Sequence, residues 1–239
     1  GSIDWDKVRE DGFDFAFIDA EHTSMSVTDL KECVLAARLT GISPLVRVTC
    51  PDEIEIRKAL EMGAEGVIIP HVKTKEEMEI CVRGAKFPPK GRRGYDGTVR
   101  SAGYGGAGVN AGDYIEHSNE TELVIPMAED FEFMDNIDEL MSVPGIDAIN
   151  FGPADFALSK NIRVFYDVNQ PAVQEAMSEI AKFTSKMNIG LMAPAIPPTK
   201  ESVDILVSRG VNMLIMGSDM FNFQNALKNI RNDVIEKFL

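Results

Sequence analysis

Phe13-Asp14-Phe15-Ala16-Phe17-Ile18-Asp19-Ala20-Glu21-His22 is a hydrophobic run that ends abruptly in acidic and basic side chains. Residues Phe13–Asp19 read as a β-strand, and a helix pattern, Val27–Leu39, follows it, with Ser26 as N-cap and Gly41 just beyond its end. The same sentence of sequence recurs. Pro44–Val48, Leu123–Ala128 and Ala148–Phe151 are also apolar runs, and polar residues (Arg47, Glu129 and Asp155) stand within or just after them. Alternating strands and helices bury the strands on both faces, so a charge at a strand end must be paired or in use. Several such charges at equivalent ends point to a parallel α/β barrel of the TIM (β/α)8 type with its working face there.

Outward from these runs the alternation fills the chain. Helix patterns cover Asp4–Glu10, Asp52–Met62, Lys75–Ala85, Phe131–Ser142, Pro171–Met187, Thr199–Ser208 and Phe221–Lys237, with a short helix from Phe156. Further strands are expected at Gly66–Val72, Ile189–Met192 and Met213–Met216. Lys86 to Ser118 interrupts the rhythm with two prolines and many glycines, and reads as a long loop with short helical pieces. The count is seven strands, and the chain opens on a helix, so the first strand of an eight-stranded barrel is expected to be missing. No repeat or linker divides residues 1–239, which are expected to form one domain.

Charge narrows the partners. With 38 acidic and 24 basic residues the net charge is −14, which argues against nucleic acid or an anionic membrane. No apolar run approaches a membrane span and no signal-peptide pattern opens the chain, so a cytoplasmic protein is expected. Cys33, Cys50 and Cys81 lack metal or redox spacing and are expected to act as small buried hydrophobes.

The candidate site residues each carry a plainer reading. His22 suits proton transfer near neutral pH, but a surface histidine beside acids fits equally. Arg47 needs an anion, either a structural carboxylate such as Glu21 or Glu61, or a substrate carboxylate or enolate. Glu129 and Asp155 can face one another across the barrel mouth. Two close carboxylates repel unless a cation or a shared proton lies between them, and oxygen-only ligation suits Mg²⁺ or Mn²⁺. The alternative is a pair of helix N-caps. In Gly152-Pro153-Ala154-Asp155 a sharp turn into a helix leaves N–H groups that suit a carboxylate. His71, in Ile69-Pro70-His71-Val72, also lies at a strand end and is a candidate to line the site. The loop from Gly91-Arg92-Arg93-Gly94 to Tyr104-Gly105-Gly106 lacks the ending of a phosphate-binding P-loop. Its arginines, with Arg100, are expected to order the loop or meet a neighbouring subunit.

In order along the chain, Ile18-Asp19-Ala20-Glu21-His22, Val46-Arg47-Val48, Gly63-Ala64-Glu65-Gly66-Val67-Ile68-Ile69-Pro70, Pro88-Pro89-Lys90-Gly91-Arg92-Arg93-Gly94, Glu129 and Gly152-Pro153-Ala154-Asp155 resemble the HpcH/HpaI aldolase family. The resemblance runs from Phe13 onward. It implies a TIM barrel and class II aldol chemistry on pyruvate with a divalent metal, Mg²⁺ or Mn²⁺, with Co²⁺ a further candidate. It implies Glu129 and Asp155 as metal ligands, Arg47 as the group that steadies the enolate, and His22 as the acid–base residue. The backbone around Gly152 and Ala154 would seat the pyruvate carboxylate, and Glu61 stands where relatives carry an aspartate supporting the histidine. It also implies a homo-oligomer, a trimer or hexamer, for which the apolar stripe of Phe221–Lys237 offers a surface; packing on its own barrel fits the same spacing. The chain departs from the pattern at Met127, where a glutamine is common, at Glu61, and in the absent first strand. The expected reaction is cleavage of a 4-hydroxy-2-oxo acid to pyruvate and an aldehyde. A metal-dependent synthase acting on an acyl thioester, and a silent barrel that binds a keto acid, use the same residues.

Overall fold

Seven strands lie side by side in chain order, every neighbouring pair parallel: β1 Phe15–Asp19, β2 Ser43–Arg47, β3 Gly66–Ile69, β4 Leu123–Ala128, β5 Ala148–Phe151, β6 Gly190–Pro194 and β7 Met213–Ile215. This computed structural model describes residues 3–163, 167 and 169–238. Helices return the chain between strands: α1 Trp5–Glu10, α2 Val27–Thr40, α3 Glu53–Glu61, α4 Lys75–Ala85, α5 Ala111–Thr121, α6 Phe131–Asp135, α7 Ile137–Leu140, α8 Pro153–Ser159, α9 Pro171–Met187, α10 Lys200–Ser208 and α11 Asp219–Asp233. The result is a TIM-type barrel wall with one strand of eight missing, and among the described residues no pairing joins β7 to β1.

The helices start where the side chains allow. Ser26 caps α2 in a reciprocal box with Asp29, and Gly41 ends it at φ +79°, a conformation that glycine adopts without steric cost. Thr74 and Glu77 repeat the box at α4. Strand pleating then sorts the apolar residues. Phe15, Phe17, Leu45, Ile68, Leu123, Ile125, Met127, Ala148 and Met192 fill the barrel interior, while Ile18, Val46, Val67, Val124 and Ile149 pack outward against the helices. One pleat beyond the interior residues of β1, β2 and β4 come Asp19, Arg47 and Glu129, which therefore share the inward direction.

Two elements differ from the sequence expectation. Lys86 to Ser118 contains a regular helix, α5, capped by Asn110. Its pattern is faint because its buried residues are polar, Ser118 and Asn119. Asn119 accepts from Phe87 N at 2.7 Å and donates to Phe87 O at 3.2 Å. The expected helix Phe131–Ser142 is instead α6 and α7, broken at Asn136, whose amide donates to Lys73 O at 2.9 Å. At the floor of the barrel the loop after α4 is fastened by buried charges. Arg93, with a fully buried side chain, pairs with Glu122, and Lys86 lies 3.3 Å from Asp147. Arg93 thus orders the loop, as expected of one of its arginines.

The last helix is the outlier. None of α11 is buried, and Phe223, Leu227 and Ile230, with Val234 just beyond it, are half or more exposed. Among the described residues the stripe from Phe223 to Ile230 is not buried against the barrel, and only Phe221 and Asn225 of the helix are half-buried. Of the cysteines Cys81 is buried and Cys33 half-buried, but Cys50 is exposed, contrary to expectation. No described helix is long and apolar enough to cross a membrane.

Candidate active site

Arg47, at the end of β2, is clamped from the neighbouring strand. Its Nε donates to Asp19 Oδ1 at 2.8 Å and its Nη2 to Asp19 Oδ2 at 2.7 Å, a bidentate pair. Nη1 lies 3.0 Å from Glu21 Oε2 without forming a hydrogen bond, and the guanidinium stacks 5.4 Å above the Phe17 ring. Of the structural partners expected for Arg47, Glu21 is present and Glu61 is not. Burial opposes ionisation of Asp19, but the hydrogen bonds and charge of Arg47 outweigh it and hold the carboxyl below its ordinary value.

Glu129 follows β4 and is 1% exposed. Its Oε1 accepts the backbone N–H of His71 at 2.8 Å. His71 follows β3 in the left-handed region, φ +55°, which turns that N–H inward. The His71 ring lies among three acids. Its Nδ1 is 2.9 Å from Asp130 Oδ2 and 3.6 Å from Glu129 Oε1, and its Nε2 is 3.4 Å from Glu21 Oε1. Burial disfavours its charge, but the Asp130 hydrogen bond and the charges of Glu129, Asp130 and Glu21 raise its pKa above the ordinary value. For Glu129, burial pushes the carboxyl up to about 7. The His71 N–H and ring charge pull it down, and the Asp155 and Glu21 charges push it up.

Asp155 sits in the first turn of α8, half-buried, close enough for its charge to act on Glu129. Gly152, before that turn, is packed against Glu129: a Cβ there would lie 2.8 Å from Glu129 Cβ and 2.9 Å from its Oε2. Gly152→Ala should therefore displace the carboxylate and lower stability by about 2 kcal/mol, readable as a lower urea midpoint with an unchanged slope. The Gly152 N–H is spent on Ala128 O at 3.1 Å, so it is not free for a substrate carboxylate. The first-turn N–H groups of Ala154 and Asp155 have no acceptor within the helix.

His22 is near but outside this cluster. Its ring is 62% exposed and its Nε2 lies 3.4 Å from Glu21 Oε2. Glu61 is not there at all. It ends α3, the helix that returns the chain to the opposite end of the barrel, and lies 3.8 Å from Arg57. Support of His22 by Glu61 is therefore not made within this chain. The structure instead gathers Asp19, His71 and Asp130 around Arg47 and Glu129. Asp19 was legible from pleating, since it continues the inward row of Phe15 and Phe17. No sequence signal marks the φ of His71 or the turn of Asp130 toward it.

A hard divalent cation fits the donors present. The mouth offers carboxylate oxygens from Glu129 and Asp155, and burial makes the lone Glu129 charge costly. Below them, Asn150 on β5 keeps a buried Oδ1 that has no hydrogen-bond partner. Among the described residues no three or more His, Cys, Asp or Glu side chains form a cage, so water and substrate would complete the shell.

The HpcH/HpaI aldolase/citrate lyase profile matches residues 5–226. The chain belongs to that family. Family members are enzymes that break or make carbon–carbon bonds. The chain is 29% identical over 213 residues to the 2-dehydro-3,6-dideoxy-6-sulfogluconate aldolase of Pseudomonas putida, covering 87% of this chain and 79% of that protein. It is 27% identical over 219 residues to the 5-keto-4-deoxy-D-glucarate aldolase of Escherichia coli strain K12, covering 92% and 82%. The crystal structure of citrate synthase SbnG superposes with a TM-score of 0.84 at 29% identity, covering 98% of this chain and 88% of that one.

Proposed function

We propose that this HpcH/HpaI member is a divalent-metal-dependent aldolase that cleaves a 4-hydroxy-2-oxo acid reversibly to pyruvate and an aldehyde. The observation that carries the reading is the buried Glu129 carboxylate, loaded by the Asp155 charge and set opposite an arginine clamped in a fixed orientation. Glu129 and Asp155 hold Mg²⁺ or Mn²⁺, with Co²⁺ a further candidate. When bound, the cation supplies Lewis-acid polarisation of the substrate's 2-oxo group.

The chain's own groups do the rest. The Ala154 and Asp155 N–H groups at the start of α8 take the substrate carboxylate, while Gly152 leaves room for it beside Glu129. His22 takes the proton of the C4 hydroxyl. The C3–C4 bond breaks, the aldehyde leaves, and the bonding pair becomes a pyruvate enolate. Arg47, held by Asp19 and supported by Glu21, faces the developing negative charge without reorganising. A proton delivered to C3 then gives pyruvate. His71, bridging Glu21, Glu129 and Asp130, holds the acidic side chains in register.

The test is pyruvate release from a panel of 4-hydroxy-2-oxo acids, before and after chelation and after restoring Mg²⁺ or Mn²⁺. Equal rates in chelated and restored protein would refute the reading. The likeness to citrate synthase SbnG favours a second reading, in which the α-carbon of an acyl thioester, as its enolate, adds to the keto carbon of a 2-oxo acid and water then cleaves the thioester to free coenzyme A. Release of free coenzyme A from an acyl-CoA and a 2-oxo acid, with no pyruvate formed, would select it.

The protein works as a homo-oligomer, a trimer or hexamer, through α11, whose Phe223, Leu227 and Ile230 are half or more exposed among the described residues. A Leu227→Asp change should split the assembly into smaller species on light scattering while the far-UV spectrum stays folded. An unchanged mass would place the interface elsewhere.

A further inference from the structure

At the opposite end of the barrel from Glu129, the last turn of α2 and the loop after α4 frame a half-open cavity of about 210 Å³ lined by Arg38, Gly63, Arg100, Ser101, Gly103 and Tyr104. Two guanidiniums share it in a chain of net charge −14. Arg38 is partly satisfied: its Nη1 donates to Gly63 O at 3.0 Å, and its Nη2 lies 3.6 Å from Glu65 across a half-exposed surface. Arg100 is not. Its Nε is buried with no hydrogen-bond partner, and among the described residues no acid lies within ion-pair distance of it. The nearby Glu61 is turned to Arg57.

The space is built rather than left over. Ser101 N donates to Glu61 O at 3.2 Å, and Ser101 Oγ meets the Tyr114 hydroxyl at 2.9 Å, which fixes the loop that carries Arg100. Gly63, at φ +105°, brings its backbone against the guanidinium, and a Cβ there would stand 3.2 Å from Arg100 Nε. A buried charged N–H without an acceptor is costly, and the cost is removed when a ligand oxygen takes the bond. An anion between two guanidiniums gains charge-assisted bonds from both.

We propose that this cavity is a binding site for a small multivalent oxyanion, the size of a phosphate group or a dicarboxylate, separate from the site at the mouth of the same barrel. This segment lacks a P-loop ending, and the proposed site is of a different kind, made by side chains from two elements.

The test is calorimetric titration of the full-length protein with inorganic phosphate and with malonate, each against chloride at matched ionic strength. Saturable binding of either, with a rise in melting temperature, is the expected result. Tighter phosphate binding would assign a phosphate group, and tighter malonate binding a dicarboxylate. Arg100→Gln should weaken binding at least about tenfold, with Arg100→Lys recovering part of it. Arg38→Gln, a change at a half-exposed position, should also weaken it and decides the matter if the Arg100 variants fail to fold. Arg92→Gln, on the exposed part of the same loop, should leave affinity unchanged. Absence of saturation for both anions, retention of affinity in Arg38→Gln and Arg100→Gln, or an equal loss in Arg92→Gln overturns the site.

Discussion

Arg47→Ala should lower turnover of a 4-hydroxy-2-oxo acid by about 10²–10³-fold, the effect of deleting one preorganised donor facing a developing anion. Affinity for Mn²⁺, followed by calorimetry, should change far less, because Arg47 stands beside the carboxylates and is not a ligand. The variant also leaves Asp19 and Glu21 without their cation, at 22% and 11% side-chain exposure. Breaking such a pair on one side should cost about 3 kcal/mol of stability. Arg47 keeps the Asp19 carboxyl below its ordinary value, so its contribution is present above the unfolded carboxyl pKa and is lost as pH falls through the folded one. The stability gap between wild type and variant should therefore narrow in acid. Arg47→Lys separates charge from geometry: it keeps the cation but loses the fork that grips both Asp19 oxygens. Parallel losses of turnover and Mn²⁺ affinity in Arg47→Ala would make the residue a structural clamp only.

Glu129→Gln should abolish metal-dependent turnover and yet stabilise the metal-free protein. Burial raises the Glu129 carboxyl to about 7 in the fold, against about 4.3 in an unfolded chain. The folded state thus holds this proton more tightly than the unfolded state. As pH rises from the lower value through the upper one, the fold must bury a charge and loses roughly 4 kcal/mol. Glutamine never ionises and escapes that loss. Denaturant midpoints of chelated wild type and Glu129→Gln should diverge between about pH 4 and 7, the variant becoming the more stable. In Mn²⁺ the order should reverse, since only the wild type gains from the cation. Curves that stay parallel across that range would show Glu129 ionising as an ordinary exposed acid.

Much of this was legible because pleating has a strict period. With Phe15, Phe17 and Leu45 facing inward in the structure, Asp19 and Arg47 must face inward too, and Met127 fixes Glu129 in the same way. The seven parallel strands and the missing first strand followed from counting hydrophobic runs. What escaped was carried by polar or conformational detail. Helix α5 buries Ser118 and Asn119 where an amphipathic helix ordinarily buries apolar residues. The break between α6 and α7 is set by a single amide from Asn136 reaching Lys73 O. His71 lines the site as its strand-end position suggests, but the left-handed backbone angle that aims its N–H at Glu129 leaves no trace in the sequence, and Glu61 leaves the site because a helix reverses the chain's direction. Residue type alone encodes none of these.

The charges of this barrel fall into two provinces. Glu122, in the buried pair with Arg93, and Glu129 stand at opposite ends of β4, about 20 Å apart along an extended strand. Oily side chains fill the interval, so salt screens little there, but at an effective dielectric of about 20 two unit charges this far apart interact by less than about 1 kcal/mol. Rewiring the lower province should shift proton affinities in the upper one by well under about one pH unit. Lineages or engineers can toughen such a molecule from beneath while its chemistry is retuned from above, each set of changes adding to the other without interference.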